Sequence, residues 1–317
     1  MPSSRATVIA VGAVASAVLA IAGAVSGPFG LLAAYFASLP LFAVGFAAGR
    51  QACVAVVAAA AVAVSVILGP DEAAMFLGAQ GIPAALVVWL SLQARVSAGA
   101  SEWVLPGTVV AWLACYGVAV FAILALSLLG EGGAQGLEAQ LATELEHVVA
   151  AVATGADPDR IKTVTAALAR YFPAIVLASW IVMTAVNAVV GFQIAGRFFD
   201  RQRPEPTWSA LTLPGWLMTA VAATSLLALI GRGTTAGFIG GNAALTLCVP
   251  YAFLGFAVAH TLAARFGARR LVLWGVYLVV FLLGWPVLVM AALGFVEDWI
   301  GVRRRVVGSR LDPEDKT

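Results

Sequence analysis

The sequence predicts an all-α polytopic membrane protein with eight or nine transmembrane helices and an external helical insertion. Of its 317 residues, 62% are hydrophobic and only 11% are charged, whereas soluble domains carry about 25% charged residues. A chain this apolar has too few polar side chains to cover a surface in water. Several apolar runs also reach the length of about 20 residues that a helix needs to cross a bilayer.

Nine apolar segments follow one another along the chain. They lack the two-residue alternation of barrel strands, and inside a bilayer a helix pairs every backbone polar group internally. Their approximate bounds are 6–25, 29–49, 51–69, 73–93, 103–129, 171–196, 214–231, 236–263 and 271–296. We therefore expect one transmembrane domain over residues 1–300, followed by a basic and then acidic cytoplasmic tail at 301–317.

The first segment predicts an uncleaved span, because its apolar run is longer than the core of about 7–15 residues in a signal peptide. Ala13 and Ala17 lie in it among small residues at helical spacing. Such a face permits close helix contact. Its partner is either another helix of this chain or a separate membrane protein, for which Ala13 and Ala17 are docking candidates.

The second segment, within "LLAAYFASLPLFAVGFAAGR" at 31–50, contains a proline at its centre. Pro40 removes one helical hydrogen bond and frees a carbonyl, which then needs a neighbour or water. Gly45 and Gly49 leave room for another helix. The segment is either a kinked anchor or, through Tyr35 and Ser38, the outer wall of a site.

The distribution of basic residues predicts a cytoplasmic N-terminus. With that orientation, four basic residues of the chain up to residue 270 lie outside: Arg160, Lys162, Arg170 and Arg232. Nine lie inside: Arg5, Arg50, Arg95, Arg197, Arg201, Arg203, Arg265, Arg269 and Arg270. Asp71 and Glu72 fall outside.

Residues 130–170 form an insertion that is too long for a plain connection. Its first part has apolar residues at helical spacing, which predicts an amphipathic helix. Asp157 and Pro158 then resemble an N-cap and a first helical residue, so a second helix would run toward Arg170. We expect a helical hairpin on or near the external membrane face, either a solvated spacer or a lid over an external opening.

The internal loop at 196–216 contains three prolines and should be extended. Its arginines, Arg197, Arg201 and Arg203, either set the topology and contact anionic lipid or dock a partner protein.

The last apolar run, 271–296, leaves two alternatives open. As a single span it places the arginines at 303–305 outside, against the charge rule. A break at Trp285–Pro286 would instead make a hairpin and return the tail to the inside, which we favour.

No segment carries Asp, Glu, Lys or Arg at mid-depth, and such charges mark proton relays and ion paths. The chain also lacks a phosphate-binding glycine loop, a zinc-protease HExxH pattern and a nucleophile–base pair. We therefore expect no enzyme activity, no cofactor and no metal, and the small net charge of +2 gives no reason to expect nucleic acid.

Uncharged polar side chains at depth are the remaining candidates for a site. Trp180, Thr184 and Asn187 share one helical face, because they are spaced i, i+4 and i+7. The candidate substrate-binding residues are Tyr35, Ser38, Gln80, Trp180, Thr184, Asn187, Asn242 and Tyr251. The alternative for each is an ordinary interhelical hydrogen bond, which contributes about 0.6 kcal/mol.

Three stretches resemble a known family: "YFASLPLFAVGFAAG" (35–49), "LPGWL" (213–217) and "LGFVEDWIGVRRR" (293–305). The chain resembles, over nearly its whole length, the bacterial membrane protein family called domain of unknown function 2232. That family is considered distantly similar to the substrate-binding S components of energy-coupling-factor vitamin transporters, which have six helices and dock a membrane partner through small residues of the first helix. Ala13 and Ala17 match that AxxxA spacing, but this chain has more segments, and the resemblance carries over no ligand-binding residue.

Two functions remain open. One is small-molecule binding or transport in the bacterial inner membrane, as in an S component. The other is a non-transporting scaffold or envelope assembly factor that acts through the arginine-rich cytoplasmic loops. The expected partners are the lipid bilayer, a small-molecule ligand and a membrane protein.

Overall fold

The computed structural model describes residues 5–97, 100–127, 132–152, 155, 157–207 and 211–303. Its helices are α1 (Arg5–Val25), α2 (Gly27–Phe36), α3 (Leu39–Ala48), α4 (Arg50–Leu68), α5 (Pro70–Phe76), α6 (Ile82–Ser91), α7 (Pro106–Ser127), α8 (Gly133–Val152), α9 (Pro158–Phe198), α10 (Trp216–Ile230), α11 (Thr235–Ala263), α12 (Arg269–Leu283) and α13 (Pro286–Ile300). A π-helical turn, Leu77–Gly81, joins α5 to α6. Arg304, Arg305 and the rest of the predicted tail lie outside the described residues.

The predicted all-α polytopic membrane fold is confirmed. Within the described ranges, seven helical segments are long and apolar enough to cross a membrane. They are Arg5–Val25, Gly30–Ala48, Arg50–Leu68, Pro70–Ser91, Pro106–Ser127, Pro158–Phe198 and Thr235–Ala263. The seventh predicted segment is the shorter apolar helix α10, of 15 residues.

The ninth predicted segment contains two helices. α12 ends at Leu283, Gly284 follows with φ of +69°, and α13 begins at Pro286. Glycine adopts this left-handed conformation without steric cost, and proline fits the first turn of a helix. Each helix has 15 residues, about 22 Å, which is less than the hydrocarbon thickness of about 30 Å.

The predicted second arm of the insertion is not a separate helix. The N-cap is as expected, since Asp157 Oδ1 accepts from the Asp159 N–H at 3.1 Å. The helix does not stop near Arg170, however, and continues as α9 for 41 residues. A helix of that length extends about 60 Å, twice the hydrocarbon thickness. The predicted arm is therefore the N-terminal part of a longer helix that also contains the sixth span. The position of the insertion on the external membrane face stays a prediction.

The chain divides into two compact units. Unit 1 contains residues 1–113 and 179–206, and unit 2 contains residues 114–178 and 207–317. The divisions fall inside α7 and α9, so both helices contribute to each unit. The single domain expected over residues 1–300 stays a prediction.

In unit 1, α1 packs on α2, α3 and α4. Its buried residues are Gly12, Ala13, Ser16 and Ala17. A Cβ on Gly12 would overlap Val44 of α3, which shows how closely the helices approach. The small-residue face that we considered for a membrane partner is thus occupied by helices of the same chain, because its lack of bulk allows this internal contact.

In unit 2, α11 is the central helix and packs on α10 and α13. The contact with α13 involves backbone, because a Cβ on Gly255 would overlap the Met290 carbonyl and a Cβ on Gly294 would overlap the Tyr251 carbonyl. Such approach is possible only where both positions lack side chains.

A two-stranded antiparallel hairpin links α6 to α7. Its strands, β1 (Ala94–Ser97) and β2 (Ala100–Trp103), pair Ala94 with Trp103. These strands were not predicted from the sequence, because four-residue strands give too little alternation to be recognised.

Candidate functional site

Pro40 divides the second span into α2 and α3. α2 ends at Phe36 and α3 begins at Leu39, so Pro40 lies in the first turn of α3, where its missing N–H costs least. The backbone between them stays close to helical, with φ of −64° at Ala37 and −79° at Ser38. The span is therefore continuous in direction but interrupted in its hydrogen bonds.

Side chains from three other helical segments donate to carbonyl groups at this break. Carbonyls at a helix end have no helical donor and need other partners. The bonds run from Gln80 Nε2 to Ala34 O (2.9 Å), from Asn187 Nδ2 to Tyr35 O (2.6 Å) and from Ser16 Oγ to Ala37 O (2.6 Å). Hence α1, α9 and the π-helical turn all meet the second span at its break.

The π-helical turn is a second interruption in the same place. It comprises Leu77–Gly81 and carries Gln80. Trp180 Nε1 donates to the carbonyl of Ala79 in this turn at 2.8 Å. Single π-helical turns inside α-helices are rare and are found mostly at functional sites.

The polar face predicted on α9 contacts both interruptions. Trp180 bonds to the π-helical turn and Asn187 bonds to the break, as described above. Thr184 lies between them on the same face and is only 1% exposed. All these contacts lie within unit 1.

Three buried polar atoms at this meeting point have no hydrogen-bond partner among the described residues. They are Ser38 Oγ, Gln80 Oε1 and Thr184 Oγ1. We call these three residues the polar cluster. Buried polar atoms in proteins are almost always paired, with protein or with ordered water. The polar cluster therefore contains three unused hydrogen-bonding atoms, and none of its side chains carries a charge.

Tyr35 and Ser38 differ in position. The Ser38 side chain is buried, whereas Tyr35 is 41% exposed and has its hydroxyl 3.3 Å from Ser179 Oγ. Ser38 is thus buried at the break, while Tyr35 contributes its carbonyl to the break and its hydroxyl to the surface. Their role as the outer wall of a site stays a prediction.

Asn242 and Tyr251 belong to unit 2 and are not part of the polar cluster. Asn242 Oδ1 accepts from the Ala174 N–H at 3.0 Å, and its Nδ2 donates to Arg170 O at 3.1 Å. These groups flank Pro173 inside α9, so the Asn242 amide bridges the helix where the proline disturbs it. Tyr251 is buried, with its ring stacked on Phe295 at 3.8 Å between centroids. The Tyr251 hydroxyl is buried without a hydrogen-bond partner among the described residues. Ligand binding by either residue stays a prediction.

Two of the three candidate docking arginines are engaged within unit 1. Arg201 pairs with Glu205 at 2.9 Å, and Arg203 donates to Ser91 O at 2.8 Å at the C-terminal end of α6. Arg197 is exposed. Hydrogen bonds from Gln193 and then from Arg201 hold the pKa of Glu205 below its usual value, and burial lowers the pKa of Arg203.

The segment 199–206 therefore acts mainly as a strap that caps helix ends. Gln202 Nε2 donates to Ala47 O at the end of α3 at 2.9 Å, and Arg203 caps α6 as described above. Arg50, which lies outside this segment, donates to Leu92 O just after α6. Sequence reasoning missed Gln202, Arg50 and the donor role of Ser16. The only signal was general: cationic side chains favour helix C-termini, where carbonyls lack partners.

A family model described as predicted membrane protein, DUF2232, matches residues 14–297. No curated protein and no solved structure matches the chain. The expected distant similarity to the S components of energy-coupling-factor transporters therefore stays a prediction.

Proposed function

The chain belongs to the DUF2232 family of predicted membrane proteins, and on that premise we propose that it binds a small, uncharged polar molecule at the polar cluster of unit 1. The observation that carries the proposal is the set of three buried, unpartnered polar atoms at the point where two helix interruptions meet. Transport of the bound molecule is the role that such a site would serve in a multi-pass membrane protein.

The polar cluster defines the hydrogen-bonding chemistry of the ligand. Gln80 Nε2 already donates to Ala34 O, so the side chain offers only its Oε1 acceptor. The ligand must therefore present an N–H or O–H donor to Gln80. The hydroxyls of Ser38 and Thr184 can donate or accept, and they suit a hydroxyl, carbonyl or amide group.

The absence of charge in the polar cluster favours a neutral ligand. An ion would be buried without a counter-charge, which is costly in a medium of low polarity. The side chains of Ser, Gln and Thr also do not ionise near neutral pH. We therefore propose binding without a chemical reaction.

Thr184 behaves unlike other helical threonines of the chain. In six of them the hydroxyl donates to the carbonyl four residues earlier, at positions 143, 163, 165, 224, 246 and 261. Thr184 Oγ1 makes no such bond although it is buried. Because the local bond is normally available to a helical threonine, a hydroxyl turned away from it supports an external partner.

The interruptions also support a binding site at this point of unit 1. Helices broken or loosened at mid-span provide binding groups in many transporters. Here the carbonyls at the break are held by Gln80, Asn187 and Ser16, so the backbone is fixed while the three side-chain atoms stay available.

Replacing Thr184 by valine tests the proposal. Valine keeps the branched shape and removes only Oγ1, which has no partner in the unliganded protein. The midpoint temperature of thermal unfolding should stay unchanged or rise, because an unsatisfied buried hydroxyl costs about 1–3 kcal/mol. Thr246→Val is the matched control: Thr246 is equally buried, and its hydroxyl bonds to its own helix at 2.8 Å.

The ligand is sought by thermal unfolding of the purified protein against a panel of neutral metabolites and vitamins. A compound at about 100 times its dissociation constant stabilises by about 2.7 kcal/mol. This stabilisation should persist in Thr246→Val and be lost in Thr184→Val. If no compound stabilises the protein, or if both variants respond like the wild type, the proposal fails. Uptake of the identified compound by cells with and without the gene then tests transport.

We also propose the bacterial inner membrane, with a cytoplasmic N-terminus, as the location. The chain uses arginine for all but two of its 18 basic residues, a bias that favours a GC-rich bacterial genome. The distribution of these basic residues favours the cytoplasmic N-terminus. The bonds of Arg50 to Leu92 O and of Arg203 to Ser91 O agree with the charge rule in placing Arg50, Arg203 and the end of α6 on one common side.

A further inference from the structure

Two arginines donate hydrogen bonds to carbonyls at the C-terminal end of α6. Arg203 Nη1 donates to Ser91 O at 2.8 Å, and Arg50 Nη2 donates to the next carbonyl, Leu92 O. Each also lies against an indole ring, with Arg50 at 5.1 Å from the Trp89 centroid and Arg203 at 5.5 Å from the Trp103 centroid. Consecutive carbonyls therefore hold two like charges close together.

No carboxylate compensates these charges in the part of the chain that the structure describes. The ion pairs there are Arg201–Glu205 and Arg303–Glu297. The carbonyls and rings that contact Arg50 and Arg203 are neutral, and Arg203 is 92% buried, since its exposed fraction is 8%. Two adjacent cations with neutral partners create a positive potential that attracts an anion.

Arg203 keeps one edge of its guanidinium unused. Its hydrogen bonds, to Ser91 O and to Val104 O at 3.4 Å, both start at Nη1. Nε is buried and has no partner among the described residues. The Nε–Nη2 edge carries two parallel N–H groups, the arrangement that binds the oxygens of a phosphate in a bidentate manner.

The arginine pair also lies at a membrane boundary. Ser91 ends a spanning segment that starts at Pro70, and Arg50 begins the span α4. Tryptophans are enriched at this depth, where lipid headgroups lie, and basic pockets at such positions bind phosphate-bearing headgroups.

We propose that Arg203 and Arg50 form a binding site for a phosphate group, supplied by the headgroup of an anionic phospholipid. The site is separate from the polar cluster and independent of the proposed ligand. Arg203 binds two phosphate oxygens through Nε and Nη2, and Arg50 supplies the second charge. The occupied site also fixes the 199–206 strap, because the phosphate compensates the buried charge that anchors it.

The test measures lipid binding to the full chain in phosphatidylcholine nanodiscs with or without added phosphatidylglycerol. The readouts are retained lipid by native mass spectrometry and the midpoint of thermal unfolding. Arg203→Lys keeps the charge and one donor to Ser91 O but loses the bidentate edge. We expect the preference for binding phosphatidylglycerol over phosphatidylcholine to fall about tenfold in this variant, because the loss of one charge-assisted hydrogen bond typically weakens binding by about that factor. Arg201→Lys, in the same strap but paired with Glu205, is the matched control and should retain the preference.

A third arm adds inorganic phosphate to the protein in pure phosphatidylcholine. Stabilisation by phosphatidylglycerol alone supports the lipid source. Equal stabilisation by free phosphate, lost in Arg203→Lys, supports the phosphate site but overturns the lipid source. If neither anion stabilises the wild type, or if Arg201→Lys loses the preference as strongly as Arg203→Lys, the proposal is overturned. Arg50→Gln removes the second charge and should also lower the preference for phosphatidylglycerol, so it is the second variant in case Arg203→Lys does not fold; an unchanged preference in it would overturn the role of Arg50.

Discussion

Replacing Asn242 by leucine tests how α9 stays continuous through Pro173. The Asn242 amide accepts from the Ala174 N–H at 3.0 Å and donates to Arg170 O at 3.1 Å and to Phe238 O at 3.0 Å. Leucine fills a similar volume but makes none of these bonds. The N–H of Ala174 and the carbonyl of Arg170 would then face an apolar side chain inside unit 2.

The expected loss of stability can be calculated from the hydrogen bonds lost or from the backbone groups left unpaired. Side-chain hydrogen bonds in membrane proteins average about 0.6 kcal/mol each, so three give about 2 kcal/mol. A buried backbone group left unsatisfied costs about 1–3 kcal/mol, so two give about 2–6 kcal/mol. We expect the free energy of unfolding to fall by about 2–4 kcal/mol. It is measured by reversible unfolding of the purified protein in bicelles with increasing detergent denaturant.

Thr246→Val is the control, because Thr246 lies one turn from Asn242, is fully buried and bonds only to its own helix. Its loss should stay below about 1 kcal/mol. In a Pro173→Ala background the ladder of α9 can close directly, so the cost of Asn242→Leu should shrink. The reasoning is refuted if Asn242→Leu costs no more than Thr246→Val, or if Pro173→Ala leaves its cost unchanged.

Two further predictions concern packing and pH. Gly294→Ala should lower the free energy of unfolding by about 1–3 kcal/mol, because the new Cβ would overlap the backbone of α11. Gly275→Ala in α12 meets no atom within 4 Å and should be neutral or stabilising by up to about 1 kcal/mol; equal effects in the same titration would contradict the close contact of α11 with α13. For Glu205, hydrogen bonds from Gln193 and Arg201 lower the pKa of the carboxyl in the folded state. The contribution of these bonds to the free energy of unfolding is therefore fully present above the ordinary pKa of 4.5, and it is lost as the pH falls through the folded-state pKa. As the pH is lowered, the midpoint temperature of thermal unfolding should fall less in Glu205→Gln than in the wild type. A pH profile identical to that of the wild type would contradict this assignment.

The sequence itself determined the membrane class and most helix positions, because a bilayer allows few alternatives for long apolar runs. It also located local features that depend on neighbouring residues only: the break at Pro40, the N-cap at Asp157 and the break before Pro286. Each of these follows from proline's missing N–H or from an oxygen beside a free backbone donor.

The continuity of α9 depended on tertiary structure. Pro173 lies at the start of the apolar run 171–196, inside α9, and local rules predict a disturbance of the helix there. The amide that bridges the disturbance comes from Asn242, 72 positions after Arg170. No local pattern connects these residues, so the sequence suggested that the second arm of the insertion ended near Arg170.

The roles of the polar residues were likewise decided by packing. Five of the candidate residues are uncharged polar residues within apolar segments: Ser38, Gln80, Thr184, Asn187 and Asn242. The sequence gives each the same two alternatives, an interhelical bond or a place in a site. Only the fold shows that Asn187 and Asn242 bond to backbone groups, while Ser38 Oγ, Gln80 Oε1 and Thr184 Oγ1 have no partner in the described chain. The physical reason is that a hydrogen bond requires two atoms within about 3.5 Å in a suitable direction, and that distance is set by helices far apart in the sequence.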